Sequence, residues 1–139
     1  MRQRWYLVFS LLVLAVYLSG CSGVTTPVIS DEAQIVDLIS KFCLAISDRD
    51  WNRAKSYCYP GSSWYLTVEE LEEEFTFWLP GARIQMIPYI YSINIRGNEA
   101  RVILALDVQI WYQGRYVSYS IGPAETLLVK IHGKWYFYY

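Results

Sequence analysis

Glu-Ala-Arg-Val-Ile-Leu-Ala-Leu-Asp-Val-Gln-Ile-Trp-Tyr, residues 99–112, is the stretch whose reading decides the fold. Ala100, Val102, Leu104, Leu106, Val108 and Ile110 share one parity, so a strand here offers an unbroken apolar row to one face. That row requires a cover. The other parity, Arg101, Ile103, Ala105, Asp107, Gln109 and Trp111, is mixed, as on a sheet face that is partly wet or meets a partner. At about 3.3 Å per residue the strand is long for a small domain and should bend or bulge.

The strand belongs to a run of period two that begins at Ile84 and reads as an antiparallel meander. The first strand, Ile84 to Arg96, contains Pro88, which removes a ladder donor and predicts a bulge or an edge. Gly97-Asn98 turns into residues 99–112, Gln113-Gly114 into Arg115 to Ile131, and His132-Gly133 into Lys134 to Tyr139. The third strand is interrupted at Gly122-Pro123.

Upstream the period is helical. Asp31 with Gln34 forms a capping-box pattern, and Ile35, Leu38, Ile39, Phe42 and Ile46 recur at three and four, predicting a helix that ends near Ser47. Asp48 or Asp50 caps a second short helix with Trp51, Ala54 and Cys58 on one side, stopped by Pro60-Gly61. Ser62 to Leu66 reads as a short strand, after which Thr67 and Glu70 cap a third helix striped by Leu71, Phe75, Trp78 and Leu79. Its outer surface, Glu69, Glu70, Glu72, Glu73 and Glu74, is a solvated face rather than a metal site.

The N-terminus carries an export signal. Arg2 and Arg4 precede the apolar run Trp5 to Leu18, whose 14 residues fall short of the roughly 20 needed to span a bilayer. The run ends in Leu18-Ser19-Gly20-Cys21, which resembles the lipobox of bacterial lipoproteins. The resemblance implies a signal peptide over 1–20, a lipid anchor on Cys21, and a location on the extracytoplasmic face of a bacterial membrane. Residues 21–30 form the lipidated cysteine and a flexible tether, and 31–139 the folded domain. Nine flexible residues span roughly 15–18 Å, which keeps the domain close to the lipid.

Composition narrows the rest. An apolar fraction of 54% with 17% aromatics demands a folded globule. The net charge of −1 becomes −3 when Arg2 and Arg4 leave with the leader, too acidic and too unclustered for a nucleic-acid partner.

Three helices followed by a long curved meander is an α+β arrangement with the helices packed on the concave face of the sheet, a cone-shaped α+β barrel. Asp48-Arg49-Asp50-Trp51-Asn52-Arg53-Ala54 resembles a helix break, and Leu128 to Phe137 with Gly133-Lys134-Trp135 the last hairpin, of the nuclear transport factor two-like (cystatin-like, SnoaL-like) superfamily. The resemblance implies a pocket between helices and sheet, used for catalysis by some members and for ligands, partners or dimerisation by others.

Catalytic residues are scarce. A pocket enzyme needs a carboxylate or histidine in an apolar setting. His132, the single histidine, falls in a hairpin turn; Asp37 is a surface acid of the first helix; Asp107 points away from the apolar row by parity. No glycine run resembles a phosphate loop and no Cys/His spacing suggests zinc, so neither cofactor nor metal is expected. Cys43 and Cys58 lie on the inner stripes of consecutive helices, and in an oxidising compartment a disulfide between them would contribute about 3 kcal/mol. Among six tryptophans and thirteen tyrosines, Trp51, Trp64, Tyr65, Trp78, Tyr89 and Tyr91 are the expected lining of a ligand pocket. Trp111, Tyr116, Tyr119, Tyr136 and Tyr138 alternate on neighbouring strands and place aromatics on the outer face.

The reading is thus a membrane-anchored binding domain without catalysis. Its partners are the membrane, a small apolar ligand, and either an envelope protein or a second copy through the open sheet. The alternative is an isomerase or dehydratase using Asp107 or a pocket tyrosine as acid/base.

Overall fold

The computed structural model describes residues 28–139, so Cys21 and the leader lie outside the described residues. Three helices come first: α1 (Asp31–Ser47), α2 (Trp51–Ser56) and α3 (Ser63–Glu73), the last running into a π-helical turn (Glu74–Trp78). Four strands follow, β1 (Arg83–Arg96), β2 (Glu99–Tyr112), β3 (Arg115–Ile131) and β4 (Lys134–Phe137), paired antiparallel in chain order.

The apolar row of β2 faces inward as expected: Ala100, Val102, Leu104, Leu106 and Val108 are buried. Its cover is α1, which rests on β1 and β4 at the two flanks of the sheet, so that β2 and β3 form the floor of a concavity beneath it. Ile35, Leu38, Ile39, Phe42, Cys43 and Ile46 of α1 fill the space, joined by Phe75, Leu128, Trp135 and Phe137. The inward parity of the last strand is therefore that of Trp135 and Phe137.

Bends fall where the ladder slips. β1 and β2 shift register between Ile90 and Ser92, leaving Tyr91 as the extra residue; Pro88 stays in register opposite Leu106 on an edge strand. β2 and β3 shift between Leu104 and Leu106, opposite Gly122-Pro123. Gly122 has φ +88, and a Cβ there would lie 2.7 Å from the Leu104 carbonyl oxygen, so only glycine permits the kink.

Caps differ from the expected ones. Ser30 caps α1, accepting from the Ala33 amide at 3.2 Å, and Ser62 caps α3, accepting from the Tyr65 amide at 3.2 Å. Residues 62–66 are thus the start of α3 and not a strand, and Thr67 is interior, its hydroxyl donating to the Ser63 carbonyl. Asp50 caps α2 as read, accepting from the Arg53 amide.

Asp31, released from capping, joins α1 to the last hairpin. Lys130 Nζ donates to its Oδ1 at 2.5 Å and Trp135 Nε1 donates to the same oxygen at 3.2 Å. These bonds, Lys130 first, hold the carboxyl below its ordinary value of 3.8. A lowered folded-state pKa means stability that is present above the ordinary value and lost as pH falls through the folded one. Asp31→Asn should accordingly lower the urea midpoint at pH 7, and the gap from wild type should close as pH drops below 3.8. A gap that stays constant down to pH 2 would exclude the charge as its source.

Candidate functional site: an apolar cleft between helix three and strand three

β3 has 17 residues and β4 only 4, so the first half of β3 extends beyond its neighbour. Between this overhang and α3 lies a cleft of about 220 Å³. Phe42 and Trp64 close one end; Leu71 lines the helical wall; Ile84, Met86, Leu106 and Val108 make the floor; Tyr119 and Ile121 form the strand wall. Their placement follows from register. The two-residue turn at Gln113-Gly114 sets Tyr119 opposite Val108 and Ile121 opposite Leu106, on the inner face.

Among the described residues the cleft offers the hydroxyls of Ser63 and Thr67, which donate to the Tyr138 and Ser63 carbonyls, and that of Tyr119, with no carboxylate, imidazole, amine or guanidinium. Burial, and then the Glu74 carboxylate nearby, raise the Tyr119 phenol above its ordinary value. At neutral pH it is therefore a hydrogen-bond donor and not a base. Trp64 is held edge-on to Phe42 with ring centroids 5.6 Å apart, and lies 5.0 Å from Phe137, so its indole is a fixed wall.

Of the six aromatics expected to line a pocket, the structure brings Trp64 alone to this cleft. Trp51 is buried against Phe75 in the core, and Tyr65 borders a groove with Asn52 and Lys55 on the far side of α3. Tyr89 and Tyr91 are exposed on β1, the first by its outer parity and the second by the bulge. Trp78 is 76% exposed, because the π turn, closed by the Leu79 amide on the Glu74 carbonyl, rotates it off the stripe set by Leu71 and Phe75. The residues that sequence reasoning missed, Tyr119 and Ile121, carried a signal in the Gln113-Gly114 turn, from which their partners could be counted.

The candidate acids sit elsewhere. Asp107 is on the outer face, accepting from the Ser120 hydroxyl; Asp37 pairs with Lys41 at 2.6 Å; His132 is exposed in its turn with φ +49. Glu72 of the acidic helix face pairs with Lys55 at 2.7 Å. Among the described residues no three His, Cys, Asp or Glu side chains cluster as metal ligands. Trp111 and Tyr116 stack on the outer face at 5.3 Å, with the Arg83 guanidinium 4.7 Å from the indole centroid.

The expected disulfide is not formed: Cys43 and Cys58 are separate buried thiols. Cys43 faces the β1 flank beside Met86, whereas Cys58 lies at the β4 flank, its Sγ donating to the Ala54 carbonyl at 3.6 Å and its backbone bridging Phe137. Burial pushes both thiols up to about 12, so neither is a nucleophile at neutral pH.

No family model and no curated protein matches the sequence. Solved structures do resemble the chain in fold. A protein of unknown function from Mycobacterium tuberculosis aligns with TM-score 0.61 at 16% identity, over 76% of this chain and 66% of its own. A cystatin-like protein of unknown function from Nostoc punctiforme aligns with TM-score 0.55 at 16% identity, over 77% and 85%. A nuclear transport factor two-like protein of unknown function from Shewanella oneidensis gives 0.56 at 12%, over 78% and 94%. The fold is thus the α+β cone of the nuclear transport factor two-like or cystatin-like class, and likeness at these identities carries no activity with it.

Free, shielded thiols have a direct readout. In native protein at pH 8, Cys43 and Cys58 should resist iodoacetamide over an hour, and in urea without reductant both should alkylate completely. Peptide mapping that finds them blocked in urea until reduced would restore the disulfide.

Proposed function

We propose that the chain is a lipid-anchored extracytoplasmic protein whose domain holds a small apolar ligand in the cleft of Trp64, Leu71, Tyr119 and Ile121 without chemical change. The single observation that carries this reading is the lining itself. Apolar walls supply affinity, the Tyr119 phenol supplies a donor for orientation, and among the described residues the lining holds no carboxylate, imidazole or amine. The isomerase alternative loses its carboxylate, since Asp107 is on the opposite face of β2.

The volume sets the scale of the ligand. A space of about 220 Å³ accommodates a bicyclic ring system or a short branched chain bearing one hydroxyl or carbonyl. A suitable probe is 2-naphthol, whose ring matches the Trp64 indole in kind and whose oxygen can accept from the Tyr119 phenol. Its binding should shift the Trp64 emission, and Leu71→Trp, which fills the cleft, should weaken it at least tenfold while leaving the circular dichroism unchanged. Equal affinity in wild type and Leu71→Trp would remove the cleft as the site.

The anchor is tested separately. Cys21→Ala should move the protein from the membrane pellet to the soluble fraction after export. Retention of the variant in the pellet, resistant to carbonate, would contradict lipidation at Cys21.

A further inference from the structure

Edges of this sheet are unequally protected. β1 carries Pro88, a bulge at Tyr91 and polar side chains, and α1 lies along it. The outer edge of β4 is covered by the chain between α2 and α3: the Tyr59 amide donates to the Phe137 carbonyl at 2.8 Å and the Phe137 amide to the Tyr57 carbonyl at 2.9 Å. β3 is paired by β4 only over Leu128–Ile131, with the last residues of the chain reaching Leu127. Among the described residues, Arg115 to Ile121 therefore has β2 on one side and no strand on the other.

That free segment lacks the usual deterrents to pairing. It holds no proline, lysine or bulge, the proline and the bulge coming only at Gly122-Pro123 and the first lysine at Lys130. Four of its seven side chains, Tyr116, Val117, Tyr119 and Ile121, are large, apolar and about half exposed.

We infer that β3 pairs edge to edge with β3 of a second copy of this chain, antiparallel, about a two-fold axis at Ser118. The free segment runs from the Gln113-Gly114 turn to the Gly122-Pro123 kink, and Ser118 is its midpoint, so this register uses the whole segment. It sets Val117 opposite the partner's Tyr119 on the inner face and Tyr116 opposite the partner's Ser120 on the outer one. Charge favours the same arrangement. Arg115 has no carboxylate within ion-pair distance among the described residues, and Glu74, which approaches Tyr119, has no cation. The two-fold lays the partner's Arg115 opposite Ile121, one strand spacing of about 4.8 Å outward and two residues from Tyr119, within the span of an arginine side chain of Glu74. A peptide of another protein would satisfy the backbone edge but not this reciprocal charge. Pairing also extends the strand wall of each cleft with the partner's Val117 and Arg115, although the inference rests on the edge and stands whether or not the cleft holds a ligand.

The test uses the full chain in detergent micelles. Wild type should sediment as a dimer, and Val117→Lys, an exposed edge position, should weaken the association at least tenfold with unchanged circular dichroism; Tyr116→Lys serves as a second edge variant should the first perturb folding. Under mild oxidation Ser118→Cys should cross-link to a dimer, while Tyr89→Cys, exposed on β1, should not. A wild-type monomer at all concentrations overturns the inference. So does a dimer that ignores both lysines and in which Ser118→Cys cross-links no faster than Tyr89→Cys.

Discussion

Five side chains on the inner face of β2, Ala100, Val102, Leu104, Leu106 and Val108, are out of water because α1 spans the concavity above them. Burial of the larger ones is worth about 1.5–3 kcal/mol each, and it is forfeited if the helix lifts. The remaining structure serves that closure. At its N-terminal end α1 is tied to the last hairpin by Asp31 with Lys130 and Trp135. At the other end Arg49 takes a left-handed backbone, φ +58, that turns the chain from α1 into α2. Its guanidinium donates to the carbonyls of Phe75 at 2.8 Å and Ala82 at 3.3 Å, which fastens the π turn and the entry of β1 beneath the helix. Ser47 adds a side-chain bond from the Met86 amide at 2.9 Å. Both ends of the cover are held by polar groups whose partners come from distant sequence, so cover and sheet form as one cooperative unit.

The cleft is the complement of this arrangement. A sheet of fully matched strands under the same helices would fill its cone. Here the β2–β3 hairpin outgrows β4, and α3 leaves the inner face of β3 uncovered. What remains is an apolar space with a donor phenol at its edge, a setting in which a neutral ligand gains from burial and a charged one loses its hydration without recompense. The chemistry of the site thus follows from strand lengths more than from any single residue.

Much of this was legible in the sequence. Alternation in residues 99–112 fixed the inner row, and Gly-centred turns gave strand order. Local competition defeated finer assignments. Ser30 and Ser62 each precede a better-known capping pattern by one to five residues, and serine at the true boundary wins because its own backbone is extended there (ψ 152 and 164) while Asp31 and Thr67 are already helical. The π turn could not be read from spacing, since one added residue rotates all later positions by roughly 100° and turns Trp78 outward. The cysteines depart from expectation for a related reason. Two inner stripes on consecutive helices share a core, yet Cys43 and Cys58 occupy opposite flanks of it, one toward β1 and one toward β4. Bulk misled in the case of the aromatics: ring size indicates a need for burial or contact but not the face, and register decides that Tyr119 lines the cleft while Tyr89 does not.

Register also explains why one strand both walls the cleft and carries the free edge. In β3 the kink at Gly122 changes which parity faces inward, so Tyr119 and Ile121 on one side of it and Ala124 and Thr126 on the other all meet the inner residues of β2. Were the kink absent, the segment 115–121 would show Tyr116, Ser118 and Ser120 to the cleft and Val117, Tyr119 and Ile121 to the outer face. The close approach at Gly122, where a Cβ would collide with the Leu104 carbonyl, therefore determines which side chains of the free segment wall the cleft and which lie on the outer face. The wall of the cleft and the inner face of the free edge are set by the same backbone position, so a change at Gly122 would be felt in both.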